Sequence, residues 1–152
     1  MANNEKNLVI RDSKIIFRNF QGAEQKYNRA GDRNFCLVIP TEDMAKMLAN
    51  DGWKIKCWST EDGDNVYYLP VSVGYKFKDP VVMMITRHNK ERLTEDTIGL
   101  LDDADIIRAD VAVRPYAWEV NGQSGIKAYL KTLYVTVEED EFADEYADNY
   151  EE

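Results

Sequence analysis

The sequence contains one histidine, His88, and two cysteines, Cys36 and Cys57, with no CxxC spacing between them. That scarcity excludes the usual four-ligand zinc sites and leaves no Ser-His-Asp set to assemble. His88 follows an apolar run beside Arg87 and Asn89 and reads as a solvated or hydrogen-bonding side chain. Each cysteine lies in an apolar, strand-like run, so both are expected as buried, reduced thiols in a cytoplasmic protein. No GxGxxG or P-loop glycine pattern is present. No stretch approaches the ~18 apolar residues of a membrane helix. The first seven residues are polar and lack the apolar region of a secretory signal. Two carboxylate clusters, Asp102/Asp103/Asp105 and Glu61/Asp62/Asp64, sit where turns and helix ends place solvated acids. Neither has the spacing of a calcium loop. The expectation is a protein that is not an enzyme and that carries no metal or cofactor.

Charge is present but unevenly placed. The formal net charge is −9. Residues 138–152 hold nine acidic side chains and no basic one, so the first 137 residues balance at 19 acidic and 19 basic. The sequence therefore divides into a neutral body, residues 1–137, and an acidic C-terminal segment, 138–152, expected to be flexible. Phe142, Tyr146 and Tyr150 recur every four residues in that segment. This spacing aligns them on one face if the segment folds into a helix on a partner.

Within the body, period-two alternation dominates. Leu8–Ile10 and Lys14–Phe20 read as a bent strand pair, with Ile15 and Phe17 on the core face and Lys14, Arg18 and Phe20 on the other. Residues 21–32 read as a long loop, and Arg33–Ile39 as the next strand. Thr41 caps a short helix that Gly52 ends. Trp53–Trp58 places Trp53, Ile55 and Cys57 opposite Lys54, Lys56 and Trp58. Val66–Tyr75 turns Tyr67, Leu69, Val71 and Val73 inward, and Val81–Ile85 is a further apolar run. A second short helix spans Thr94–Leu101. Asp105–Arg114 turns Ile107, Ala109, Val111 and Val113 inward. Ile126–Val137 closes the body after a turn at Asn121–Gly125. About seven strands with two short helices indicate an all-β, or β-rich α+β, curved sheet or barrel.

Three of these strands repeat one recipe, an apolar face backed by cations and an aromatic. The sets are Arg18 with Phe20, Lys54 and Lys56 with Trp58, and Lys127 and Lys131 with Tyr129. The long loop and its exit add Lys26, Tyr27, Arg29 and Arg33. Single-stranded nucleic acid calls for this combination, because phosphates attract Lys and Arg while unpaired bases stack on aromatic rings. Arg18, Lys26, Arg29, Arg33, Lys54, Lys56, Lys127 and Lys131 are the expected phosphate contacts. Phe20, Tyr27, Trp58 and Tyr129 are the expected stacking residues.

Phe17-Arg18-Asn19-Phe20, Gly22, Tyr27-Asn28, Gly31, Arg33, Phe35 and Gly52-Trp53 resemble phage-encoded single-stranded-DNA-binding proteins of the OB-fold type. Pro115-Tyr116-Ala117-Trp118-Glu119 and Gly125-Ile126-Lys127-Ala128-Tyr129-Leu130-Lys131 extend the resemblance, and the acidic C-terminus is similar to the tails of that class. The resemblance implies a Greek-key barrel that binds ssDNA in a groove across its face. It also implies a role in viral replication or recombination, in the cytoplasm of the host cell. The acidic segment would then recruit replication or recombination proteins through Phe142, Tyr146 and Tyr150, and would compete with DNA for the body. A homo-oligomer is compatible with this reading. Two rivals are an interaction module that uses the acidic segment as a DNA mimic, and a carboxylate-metal nuclease.

Overall fold

The computed structural model describes residues 6–76 and 78–138. Phe142, Tyr146 and Tyr150 lie outside these residues. The elements run β1 (Leu8–Ser13), β2 (Ile15–Asn19), β3 (Arg33–Ile39), α1 (Glu42–Asn50), β4 (Lys56–Ser59), β5 (Asn65–Val73), β6 (Val81–Ile85) and β7 (Lys90–Leu93). A 3-10 turn over Ile98–Asp102 precedes β8 (Ile106–Val120) and β9 (Gln123–Val137).

The principal strands pair in the order β1-β8-β9-β5-β3-β2. The two ends of that order are halves of one bent strand, separated by Lys14 alone, so the sheet returns on itself. The Ser13 hydroxyl donates to the Val38 carbonyl at 2.6 Å, and the Val38 N–H donates to the Lys14 carbonyl at 2.9 Å, holding the bend against β3. Taking β1 and β2 as one strand leaves five, with β3, β5, β8 and β9, and β5 runs parallel to β9. This is the Greek-key arrangement of an OB-type barrel. The β6–β7 hairpin extends the sheet from the far half of β9.

Local chemistry accounts for the connections. The Thr41 hydroxyl accepts from the Met44 N–H at 3.1 Å and starts α1. At the other end Gly52 takes φ +106°, the Gly52 N–H donates to Ala49, and the Trp53 N–H donates to Leu48. These bonds form a Schellman cap, in which the left-handed residue is best glycine. Ala45 and Leu48 face the core. Asn121 and Gly122, both at positive φ, make the two-residue turn between β8 and β9. That pairing of conformations is the type I′ geometry whose twist matches a hairpin.

Phe20, Phe35, Leu37, Leu69, Val71, Val111, Val113 and Leu133 fill the barrel interior. Four departures from simple alternation correct the sequence reading. Register shifts occur between Ile10 and Ser13, between Ile16 and Asn19, between Ile106 and Arg108, and between Ala112 and Val113, the last at Lys131 of β9. In β2 the extra residue sets Phe17 at φ +51° and turns its ring outward, while Phe20 turns inward and the Asn19 amide, on the side of Asn34, is covered by the loop through bonds to the Ala23 N–H and carbonyl. In β8 the first shift leaves Ile107 exposed rather than in the core. A bulge inserts one residue and inverts every face beyond it. The strand expected from Trp53 begins only at Lys56, because Trp53 instead bridges to Ile126 in β9 and is buried. Cys57, expected inside, is exposed, and β7 was not anticipated from the sequence.

Candidate nucleic-acid interface

Directly opposed residues on neighbouring strands point to the same side of a sheet. From β3, Asn34, Cys36 and Val38 oppose Ser72, Pro70 and Tyr68 of β5, facing away from the core. β2 adds Ile16 opposite Cys36, and β4 adds Lys56 opposite Tyr68 and Trp58 opposite Val66. On the other flank of β5, Ser72 pairs with Tyr129 of β9. β8 then sets Arg114 opposite Tyr129, Tyr116 opposite Lys127 and Trp118 opposite Gly125. One outer face therefore runs continuously from Trp58 to Trp118.

Two aromatic clusters stand on this face. In the first, the Phe17 ring lies 6.1 Å from Trp58 and 5.5 Å, edge-on, from Tyr68. Phe17 and Trp58 remain 57% and 47% exposed. In the second, Tyr116 and Tyr129 meet edge-on at 6.1 Å, and the Lys127 ammonium sits 5.1 Å from the Tyr129 ring centre. Tyr68 and Ser72 are four residues apart on β5, so the clusters are about 13 Å apart at ~3.3 Å per residue.

The cations sort into two groups. Lys54, Lys56, Lys127 and Lys131 are exposed and pair with no carboxylate among the described residues. Lys131 occupies the register shift of β9, opposite the Ala112–Val113 step, where β9 changes neighbour from β5 to β6. The arginines nominated from the sequence are committed elsewhere. Arg18 is half-buried and donates through one nitrogen to the Leu101 and Ala104 carbonyls, both at 2.7 Å. It staples β2 to the end of the 3-10 turn. Arg33 pairs with Glu95 at 3.1 Å and lies 5.8 Å from the Tyr75 ring centre. Arg29 is open to solvent but lies 3.6 Å from Asp32.

Phe20 requires a correction. It is fully buried and stacks on Phe35 at 5.1 Å, because the β2 bulge carries it inward. No base reaches it without opening the core. Arg18 is likewise a structural group, its guanidinium holding carbonyls rather than facing solvent. The long loop presents Tyr27, 91% exposed, with the Lys26 ammonium 5.4 Å from its ring centre. Asn28 holds the loop: its amide donates to the Ala23, Arg29 and Asp32 carbonyls, and its oxygen accepts from Asn34 of the outer face at 2.8 Å. The loop thus rises from the edge of the same face.

Phe17, Tyr68, Arg114, Tyr116 and Trp118 join the face without having been nominated from the sequence. Arg114, Tyr116 and Trp118 alternate, and that period was available to find them. Phe17 carried no such signal, since its exposure depends on the bulge. Cys36 lies at the centre of the face. Burial pushes its thiol up to about 11, with the Lys56 ammonium acting in the opposite sense. It is a packed thiol and not a nucleophile at neutral pH.

The carboxylate clusters contain no ligand set. Among the described residues no group of three metal-ligating side chains converges. Asp102 accepts from the Phe20 and Gln21 N–H groups at 2.7 and 3.0 Å and so anchors the chain leaving β2. Among the described residues no helix is long and apolar enough to cross a membrane.

A family profile described as "Putative phage ssDNA-binding domain" matches residues 2–151. No curated protein matches the sequence. Among solved structures, the single-stranded DNA-binding protein from bacteriophage Enc34 is similar in fold, at TM-score 0.58 and 12% identity over 95% of this chain and 90% of that one. The same phage protein in complex with ssDNA matches at TM-score 0.57 and 11% identity, over 88% of each chain. The fold, and a family match that spans the body and almost all of the acidic segment, agree: the chain belongs to the family of phage ssDNA-binding domains.

Proposed function

We propose that the outer face of the barrel binds single-stranded DNA with little sequence preference, in viral replication or recombination. The observation that carries this reading is the meeting of two aromatic clusters with Lys56 and Lys127, which pair with no carboxylate among the described residues, on one continuous face. Stacking is tolerant of base identity because every base has a π-face, and each stacked base contributes ~1–3 kcal/mol. The ~13 Å between clusters separates bases a few nucleotides apart on a single strand, within reach of OB-fold sites of about 4 nucleotides or more. The path runs from Phe17, Trp58 and Tyr68 over Lys56 to Tyr129, Tyr116 and Lys127, with Tyr27 and Lys26 at the loop edge.

The acidic segment fits this reading as a competitor. Its nine carboxylates match the charge of a short strand, and Lys56 and Lys127 of the outer face are cations that such a segment can pair with in place of phosphates. Phe142, Tyr146 and Tyr150 would anchor the segment in a replication or recombination protein once DNA displaces it. Residues 1–137 act as the binding domain and 138–152 as its regulator.

Titration of fluorescent oligo-dT with the full chain tests the reading. Binding should weaken steeply with salt, because each phosphate contact releases counterions. Ending the chain at Val137 should leave binding equal or tighter. Absence of binding at low salt refutes the reading, and loss of binding on truncation refutes the competitive role of the acidic segment.

A further inference from the structure

A groove of about 630 Å³ opens beside the outer face, lined by Gly52, Lys54, Pro70, Ser72, Trp118 and the 124–128 stretch of β9. Its origin is topological. β4 and β9 flank β5 on the same side, β4 ending its pairing at Tyr68 and β9 beginning at Val71. Between them β5 is left without a neighbour on that side, and Pro70 at the gap has no N–H to leave unsatisfied. The Ile126 N–H, donating to the Gly52 carbonyl at 3.0 Å, closes the groove at the α1 end.

The walls have a definite chemistry. Lys54 and Lys127 line the groove, and no carboxylate among the described residues does. Trp118 leans on Gly125 so closely that a Cβ there would lie 3.0 to 3.2 Å from the indole ring. Glycine thus lets one ring face pack on backbone, while Trp118 stays 39% exposed. The volume lies within the ~300–1,000 Å³ range of small-ligand sites. Two cations, one supported indole face and a pair of serine hydroxyls suit a nucleotide, with a flat apolar base and anionic phosphates.

We propose that this groove takes one nucleotide of the bound strand out of line with its neighbours, its base on Trp118 and its flanking phosphates on Lys54 and Lys127. The proposal rests on the reading of the outer face as an ssDNA site and adds a discrete pocket to it. A single strand has no pairing to break, so turning one base aside costs only stacking. Trp118 would mark the end of the path across Tyr129 and Tyr116.

The three tryptophans make the test direct. Trp53 is buried, so Trp58→Phe leaves Trp118 as the exposed reporter, and Trp118→Phe leaves Trp58. Oligo-dT should quench Trp118 emission in the full-length Trp58→Phe chain. Trp118→Ala should weaken binding about ten-fold, and Lys54→Ala should lower the salt slope by about one. Saturable binding with unchanged Trp118 emission, or Trp118→Ala binding within two-fold of the parent, overturns the pocket and leaves the outer-face reading standing. Trp118 emission that is quenched before DNA is added and rises with it identifies the acidic segment as the occupant, and also overturns the proposal. Absence of binding by the parent chain defeats the outer-face reading and the pocket together.

Discussion

β2 and the first half of β9 offer aromatic and basic residues to the same outer face in opposite ways. β9 alternates without interruption from Ile126 to Leu130: Ile126, Ala128 and Leu130 are buried, while Lys127 and Tyr129 lie outward. β2 breaks its alternation within five residues, so that Phe17 stands in solvent and Phe20 in the core. The difference shows that a face can be read from residue types only as far as the first bulge. It also shows that the bulge is productive. The left-handed conformation at Phe17 places a large apolar ring against Trp58 and Tyr68 where plain pleating would have buried it.

The sharpest way to break the comparison is to exchange the fates of the two phenylalanines. Phe20→Ala should cost about 3–5 kcal/mol of stability, the usual penalty for emptying a packed aromatic site. Phe17→Ala should cost about 1 kcal/mol or less, its ring contacts being surface ones, yet weaken oligo-dT binding about ten-fold. Denaturant midpoints and a binding titration on both variants check this. A stable Phe20→Ala chain with lost binding would restore the simple alternation.

A second contrast sets arginine against lysine. Arg18→Ala should destabilise by about 1–3 kcal/mol, because it abandons the Leu101 and Ala104 carbonyls. Lys127→Ala should leave the unfolding midpoint within about 0.5 kcal/mol, as a surface change does, and lower the salt slope of binding by about one. Equal effects of the two on stability would contradict the division of cations into structural and ligand-facing groups.

The third and smallest effect concerns the thiols. The Cys36 pKa is raised to about 11 in the folded chain against 9.0 for the free side chain. The folded state therefore holds a proton that the unfolded state releases, and stability should fall as pH rises from about 9 towards 11. Cys36→Ala should flatten that fall. At neutral pH a thiol reagent should label exposed Cys57 well before Cys36.

These contrasts also explain what the sequence could disclose. The barrel class, the bent first strand, the cap at Thr41 and the outward Lys127 and Tyr129 were legible, because each depends on neighbours close in sequence. Lys56 and Trp58 lie outward as alternation suggests, but the strand starts only at Lys56, leaving Lys54 outside it, and Cys57 between them is exposed as well. Phe20 and Arg18 were misplaced by one inserted residue, which local pattern does not reveal. Local pattern suits Arg33 to a phosphate contact, and its partner Glu95 lies too far along the chain for that pattern to reveal the pair. Tyr68 was legible as an outward residue of β5 but gains significance only from Phe17 and Trp58 across two other strands.

The central claim is that ssDNA lies across the outer face, over both aromatic clusters. Its most direct test is an oligo-dT titration of the full chain carrying Phe17→Ala together with Tyr129→Ala, compared with the parent and with a Tyr27→Ala loop variant. The account predicts a loss of affinity of about a hundred-fold for the double variant, from about 1–3 kcal/mol per stacked base, with near-parental stability and a smaller loss for Tyr27→Ala. Parental affinity in the double variant, with binding abolished by Tyr27→Ala alone, would contradict it.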